Sequence, residues 1–404
     1  MTSTPAEIAR AAAAEVAALA ASTSDPLTVD DESSDSMMLA FVVTKSGGGR
    51  VARVPRPTPE AEGYALIHVM RAGVCNTDLE ILKGYMGFQG ILGHEFVGKV
   101  VDIRTGDDSL KTKYMNKRVC GDINVGCFSC RVCQGSRDSC CSQMSRNHCP
   151  NRTVLGILNR NGTMAEYLTL PVQNLHLVPD HISDEDAVFS EPLAAACRIV
   201  EQGLVSIESS DKVAILGDGK LGLMIAEVMG REYLSVKGTA EAPEPPILFG
   251  KHDHKLKLVE NSGVITKMVS DCQDDSAFNG VAAAHAAAYD VVVDATGNPA
   301  ALLLAAGLCR PMGTVVLKST CAAGEQFNAA PFVIDELRVI GSRCGPIDKA
   351  LELLALQEDD AGIPSLRVQK YVTKTFPLSQ AKEAVECAAK RETMKVQIIC
   401  STSD

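Results

Sequence analysis

The sequence predicts an α/β protein with a mainly β catalytic domain followed by a doubly wound parallel sheet. Three observations predict it. At 404 residues the chain exceeds one ordinary core, so two domains are expected. From Met37 onward, short β-branched runs broken by Gly, Pro and Asp follow one another, namely LAFVV, YALIHVMRAGV, FVGKVVDI and KRVCGDI. From Asp211 the text changes to an alternation of strand and helix, with DKVAILGDGKLGLMIAEVMG leading into ILFG, VITKMV, YDVVVDATG and GTVVLKST, the pattern of a parallel sheet.

Residues 1–36 read as an extension, with a helix-favouring run at Ala11 to Ala21 and a Ser/Thr/Asp-rich linker through Ser36. It holds one Arg and several acids and has no basic n-region, so neither a secretory signal nor a transit peptide fits well. The expected compartment is the cytoplasm, with organellar transit through the extension as the alternative.

The β domain is organised around GVCNTDLEILKGYMGFQGILGHEFVG, Gly73 to Gly98. Cys75 offers a thiolate, His94 an imidazole and Glu95 a carboxylate, donors that suit a zinc ion with one position open for chemistry. Thr77 is placed to relay a proton. Asp78 is placed to hold the other ring nitrogen of His94. Either Cys75 or His94 alone would more often be a core residue; their company with Glu95 makes the metal reading the sharper one.

Cys127, Cys130, Cys133 and Cys141 follow as C-x2-C-x2-C-x7-C. Four thiolates close a tetrahedral site, so this zinc would be structural. Cys140 is adjacent, and Cys149 ends a second x7 interval; spacing leans to Cys141, with Cys149 as the alternative fourth ligand. The chain has 15 Cys, an odd count that clusters here, and with no secretory signal this points to metal rather than disulfides.

SDEDAVFSEPLAAACRIVEQG reads as a helix with Ser183 as its cap and with Glu191 in an apolar setting that demands a partner, either a helix N-terminus or a metal. The strand Val213 to Leu216 then runs into Gly217, Gly219 and Gly222. That context turns G-x-G-x-x-G, with Lys220 and Leu221 between, into a dinucleotide turn. The second strand is expected at Ile247 to Phe249, or alternatively at Leu234 to Val236, with Tyr233 to Pro245 as an insertion. No acid follows either choice directly. Lys251 and His252 could attract a 2′-phosphate, so the charge argument favours NADP over NAD. After Ser319, PFVIDELRVIGSRCGP has strand character, DKALELLALQ and LSQAKEAVECAAK read as amphipathic helices, and KVQIIC is a last strand.

The net charge of −11 argues against a nucleic-acid or anionic-membrane partner, and no apolar run is long enough to span a bilayer. Trp is absent and aromatics are 4%, too few for a base-stacking surface.

GVCNTDLE, GHEFVG, the cysteine cluster, EPLAAA and GDGKLG, in that order, resemble the zinc-dependent medium-chain dehydrogenase/reductase family, in particular its threonine and polyol dehydrogenase-like branch. The resemblance covers nearly everything after Met37. It implies a GroES-like catalytic domain (37–185), a Rossmann domain (186–325) and a C-terminal return to the catalytic domain (326–404). It implies Cys75, His94, Glu95 and Glu191 at a catalytic zinc, Thr77 and Asp78 as relay and support, and Cys127, Cys130 and Cys133 at a structural zinc. Gly217, Gly219, Lys220, Leu221, Gly222, Lys251 and His252 would meet NAD(P). By the context of the PNRTVLGI stretch, Cys149 is the family match for the fourth cysteine. The activity implied is reversible oxidation of a polyol, amino alcohol or simple alcohol to a ketone or aldehyde, in a homodimer or homotetramer; within this chain the apolar run Gly313 to Leu317 is the only support for such an assembly. The rivals are a zinc-independent quinone or enone reductase on the same fold, and a cofactor-binding protein without turnover. The full ligand set weighs against both.

Overall fold

The computed structural model describes residues 36–44, 48–134, 146–205, 211–237, 244–269, 285–319, 328–356 and 363–401. The N-terminal extension before Ser36, Cys140 and Cys141, and the middle of the expected insertion (238–243) lie outside these residues.

The first domain contains β1 (Met37–Val43), β2 (Gly49–Pro55), β3 (Tyr64–Val74), helix α1 (Asn76–Leu82), β4 (Gly90–Ile91), β5 (Glu95–Arg104), β6 (Arg118–Gly121), β7 (Asn124–Val125), β8 (Thr153–Leu155), β9 (Asn159–Arg160), β10 (Tyr167–Pro171) and β11 (Leu175–Leu177). Its main sheet runs β11-β6-β5-β3, with β10 also on β3, and smaller sheets β2-β1-β4 and β7-β8-β9 close around it. Inward alternation along β3 and β5 builds one core from Ile67, Val69, Phe96 and Val100 with Phe41, Leu155 and Leu170.

Ser183 caps a short helix, Asp184–Ala187, by accepting from Asp186 N–H at 3.1 Å. The chain kinks at Phe189 and a second helix, α2 (Ser190–Glu201), begins with Glu191 in its first turn. Then come β12 (Val213–Leu216), α3 (Lys220–Val236), β13 (Ile247–Gly250), β14 (Ile265–Met268), β15 (Tyr289–Asp294), β16 (Cys309–Leu317) and β17 (Arg338–Gly341). They form a parallel sheet in the order β14-β13-β12-β15-β16-β17. β12 is buried at every residue because helices cover both faces, which is why it reads as a continuous apolar run.

Three expectations change. α3 runs to Val236, so Tyr233 to Val236 is helical and the alternative second strand at Leu234 to Val236 is excluded; a continuous apolar face, from Leu223 to Met229, holds it in the core. The strand character expected of PFVIDELRVIGSRCGP is confined to β17, since Ala330–Ile334 is a helical turn opened by Pro331. The 325/326 boundary also moves, because β17 belongs to the parallel sheet and the next helix, α4 (Ile347–Ala355), packs on α2. The return to the first domain begins near Val368 and delivers β18 (Val372–Pro377), α5 (Ala381–Ala388) and β19 (Lys395–Ile399); β19 pairs antiparallel with β3. No helix among the described residues is long and apolar enough to cross a membrane.

A buried ionic node ties the two lobes together. Glu227 of α3, fully buried, accepts from Tyr371 Oη at 2.6 Å and Ser262 Oγ at 2.7 Å, and pairs with Arg231 and Lys370. Arg231 in turn donates to the carbonyls of Pro364 and Ser365. Two of these partners come from the segment that leads back to the first domain, so the node ties that segment to α3.

Candidate active site and metal centres

β3 ends at Val74, and Cys75 becomes the N-cap of α1. Asp78, fully buried at the third helical position, accepts from Cys75 N–H through Oδ2 at 2.8 Å. Its other oxygen, Oδ1, lies 3.2 Å from His94 Nδ1. One carboxylate therefore caps the helix start and sets a negative charge beside the histidine ring, although Asp78 Oδ1 and His94 Nδ1 are not aligned for a hydrogen bond. His94 follows Gly93, whose φ of +96° makes the turn. Burial disfavours an imidazolium at His94, but the neighbouring Asp78 and Cys75 outweigh it and hold its pKa well above the ordinary value.

The ligand atoms of Cys75, His94 and Glu95 lie within 4.8 Å of one another. Glu95 fits there because residue 73 is glycine: a Cβ at Gly73 would meet Glu95 Oε2 at 2.0 Å. Thr77 Oγ1 stands 3.8 Å from Cys75 Sγ, at the half-buried mouth of the group. Glu191 is not in this cluster. It approaches from α2, with its acidity weakened by burial and partly restored by the charges of His94, Lys395 and Lys318.

The sequence reading missed Lys395. This lysine is 2% exposed, on β19, and forms an ion pair with Glu95. Removing one partner of such a pair costs about 3–5 kcal/mol, because the other charge is stranded. The only hint in the sequence was a lysine heading an apolar strand, with its partner 300 residues away. Lys318 was missed as well. Its ammonium donates to Ser342 Oγ and to the Arg343 carbonyl near Glu191, and burial brings its pKa down to about 8.

The second cluster is Cys127, Cys130, Cys133 and Cys149. The sulfurs are 3.6 Å apart for Cys149–Cys127, 3.7 Å for Cys130–Cys149 and 4.0 Å for Cys127–Cys133. A disulfide would bring them to about 2.05 Å. A tetrahedron with Zn–S bonds of about 2.3 Å has edges of about 3.8 Å. The spacing fits a metal. Backbone N–H groups of Cys127 and Cys133 also point at sulfurs, at 3.4 Å each. Cys141, the fourth ligand that spacing favoured, lies outside the described residues; Cys149 takes the fourth place.

The third part is the nucleotide turn. Gly217 has φ +107°, and a Cβ at Gly222 would strike the Gly217 carbonyl at 1.9 Å, so both glycines are required by the backbone. Gly219 N-caps α3 without a side-chain bond, leaving that helix end open to an anion. Leu221 packs on the core behind it. Lys220 Nζ is buried and has no hydrogen-bond partner among the described residues. Burial, with the charge of Lys395 second, lowers its pKa. The cleft it lines also presents Asn76, Lys83, Lys255, Lys390 and Arg391, a cationic wall suited to a pyrophosphate. Lys251 and His252 follow β13, as the sequence reading placed them. Another cavity, beside Lys113, His176 and Asp348, holds no member of either cysteine-bearing cluster.

Residues 61–180 match the alcohol dehydrogenase GroES-like domain, and residues 239–358 match the zinc-binding dehydrogenase domain. The chain belongs to the zinc-dependent medium-chain dehydrogenase family. This dehydrogenase is 27% identical over 361 residues to the D-arabitol-phosphate dehydrogenase of Enterococcus avium, covering 87% of this chain and 94% of that one. It is 30% identical over 256 residues to an L-threonine 3-dehydrogenase of Xanthomonas euvesicatoria, covering 62% of this chain and 67% of that one. Among solved structures, a zinc-binding dehydrogenase from Sinorhizobium meliloti bound to NADP superposes with a TM-score of 0.72 at 26% identity, covering 90% of this chain and 99% of that one. The dehydrogenase is thus an alcohol dehydrogenase-like oxidoreductase that uses NAD(P).

Proposed function

We propose that this dehydrogenase reversibly oxidises a polyol or amino alcohol at a zinc held by Cys75, His94 and Glu95, and carries a second, structural zinc on Cys127, Cys130, Cys133 and Cys149. The observation that carries this is the convergence of Cys75, His94 and Glu95, with Thr77 beside them, close enough to Lys220 of the dinucleotide turn for the charges of Cys75 and Glu95 to act on its ammonium. A zinc held there would supply Lewis acidity at the substrate oxygen, and a bound nicotinamide would supply the hydride acceptor.

The chain's own residues do the rest. Thr77 accepts the proton of the substrate hydroxyl and passes it toward water at the cleft mouth. Asp78 sets its carboxylate 3.2 Å from His94 Nδ1, a counter-charge that favours presenting the other ring nitrogen to a metal. Lys395 balances the Glu95 charge in the buried site. Glu191 stands behind the cluster as a second carboxylate. Lys220 and Arg391, both lining the cleft, attract the pyrophosphate. The end of β13 decides between NAD and NADP.

The test is a dehydrogenase screen over threonine, sugar alcohols and short alcohols with both nucleotides. Thr77→Val is expected to lower the rate of the best substrate about 10²-fold or more, with zinc content unchanged, and Thr77→Ser to keep most of it. Full activity in Thr77→Val would make Thr77 a packing residue. Metal-independent reduction of enones would sink the alcohol reading.

The proposed assembly is a homodimer through β17, or a tetramer of such dimers. β17 is an edge of the parallel sheet, and Val339 on it, with Val333, Ile334 and Met312 nearby, exposes apolar surface that an edge strand ordinarily avoids. Sedimentation at micromolar concentration is expected to give a dimer or larger; monomer alone would refute this.

A further inference from the structure

Parallel pairing of β12 with β13 sets the loops that follow them side by side, residues 217–219 against 250–252. Gly217 N–H donates to the Phe249 carbonyl at 2.9 Å and fixes their spacing. Asp218, inside the glycine turn, reaches across. Its Oδ2 accepts from the backbone N–H groups of Lys251 at 2.8 Å and His252 at 2.7 Å, and lies 2.9 Å from His252 Nδ1. The approach depends on Gly250, where a Cβ would meet Asp218 Cβ at 2.8 Å and Oδ2 at 3.0 Å. Asp218 is thereby buried, while the His252 ring stays about half exposed.

A dinucleotide bound at such a glycine turn hangs its adenosine ribose over the end of the second strand. There an acid some 20 residues beyond the glycines ordinarily takes the 2′-hydroxyl. The end of β13 holds Gly250, Lys251 and His252 and no acid of its own. The carboxylate at that spot comes from the turn.

We infer that Asp218 is the ribose-recognising acid of this dehydrogenase and that it selects NAD against NADP. The inference rests on the dinucleotide reading above. Paired backbone N–H groups are what a 2′-phosphate would use as an anion nest. Here Asp218 Oδ2 already fills that nest, and Oδ1, which takes no part in those three bonds, is the atom assigned to the ribose hydroxyl. A phosphate arriving there would meet a fixed negative charge in place of a donor, a juxtaposition that costs affinity strongly. This reverses the preference that Lys251 suggests in sequence, because the Lys251 backbone is committed to holding the acid that excludes the phosphate.

The test is titration of the purified chain with NADH and with NADPH, followed by nucleotide fluorescence; with no Trp in the chain, the protein background is low. The wild type is expected to bind NADH at least about tenfold more tightly than NADPH. Asp218→Asn, which keeps the size and loses the charge, is expected to erase most of that ratio. Asp218→Ala, which opens the nest, should carry it toward NADPH. Gly250→Ala, which crowds Asp218 from the other side, should shift the ratio the same way while leaving the acid in place. Melting temperature follows the fold of each variant, and a merely structural Asp218 would weaken both nucleotides alike and leave their ratio unmoved. Equal or tighter NADPH binding by the wild type, or a ratio unchanged in folded variants, overturns the inference and leaves the dehydrogenase reading standing. Binding of neither nucleotide would overturn both.

Discussion

Cys75→Ala is expected to bind one zinc instead of two and to lose alcohol oxidation by about 10³-fold or more, the equivalent of several kcal/mol of transition-state stabilisation. Its fold should survive, since Cys75 lies half-buried at the mouth of the cleft and contributes little to the core. Cys75 is a cleaner choice than His94, whose removal would strand the fully buried Asp78 and confound activity with stability. Metal analysis and rate are read on the same preparation. A variant with one zinc and near-normal turnover would show that the Cys75 cluster is not the reacting site, and one with two zincs would remove Cys75 from the ligand set.

Cys149→Ser is expected to lose the other zinc and to lower the melting temperature by roughly 10 °C, taking about 3–5 kcal/mol at the few degrees per kcal/mol usual for a domain of this size. Isolated zinc fingers draw about 10–16 kcal/mol from their metal. The smaller figure applies because this lobe keeps a core of its own, from Phe41 and Ile67 through Leu155 and Leu170, without the cluster. Residual activity per folded molecule should be high. Cys141→Ser is the companion variant, expected to keep two zincs and normal stability. The opposite pattern, metal lost from Cys141→Ser and kept in Cys149→Ser, would return the fourth position to Cys141.

What the sequence made legible was local. Cys75, Thr77 and Asp78 sit within one helical turn, so their spacing alone brought them together, and the glycines of the dinucleotide turn carry their meaning in the strand before and the helix after. β12 is buried at every residue and β15 at all but Asp290, and both wrote that into short apolar runs, Val213 to Leu216 and Val291 to Val293. β17 did not: it is an edge strand with mostly exposed residues, and nothing in four such residues says which sheet receives them. The fourth cysteine was ambiguous because two x7 intervals follow one another. Lys395 and Glu95, and Asp218 with the β13 end, depend on pairings between segments whose registry only the folded sheets define.

The ion pair between Lys395 and Glu95 also bears on how the molecule is made. Cys127 and Cys149 are only 22 positions apart, so the proposed structural ion could be gathered there while most of the chain is still unwritten on the ribosome. The Glu95 carboxylate must wait for a strand translated 300 residues later. Until β19 docks beside β3, the cavity around Glu95 holds a charge with no counterion, and an early-arriving ion would be its natural substitute. If both clusters take zinc, as proposed, loading would be staggered in time, with the cysteine cluster complete early and the Glu95 site complete only when the tail closes the sheet.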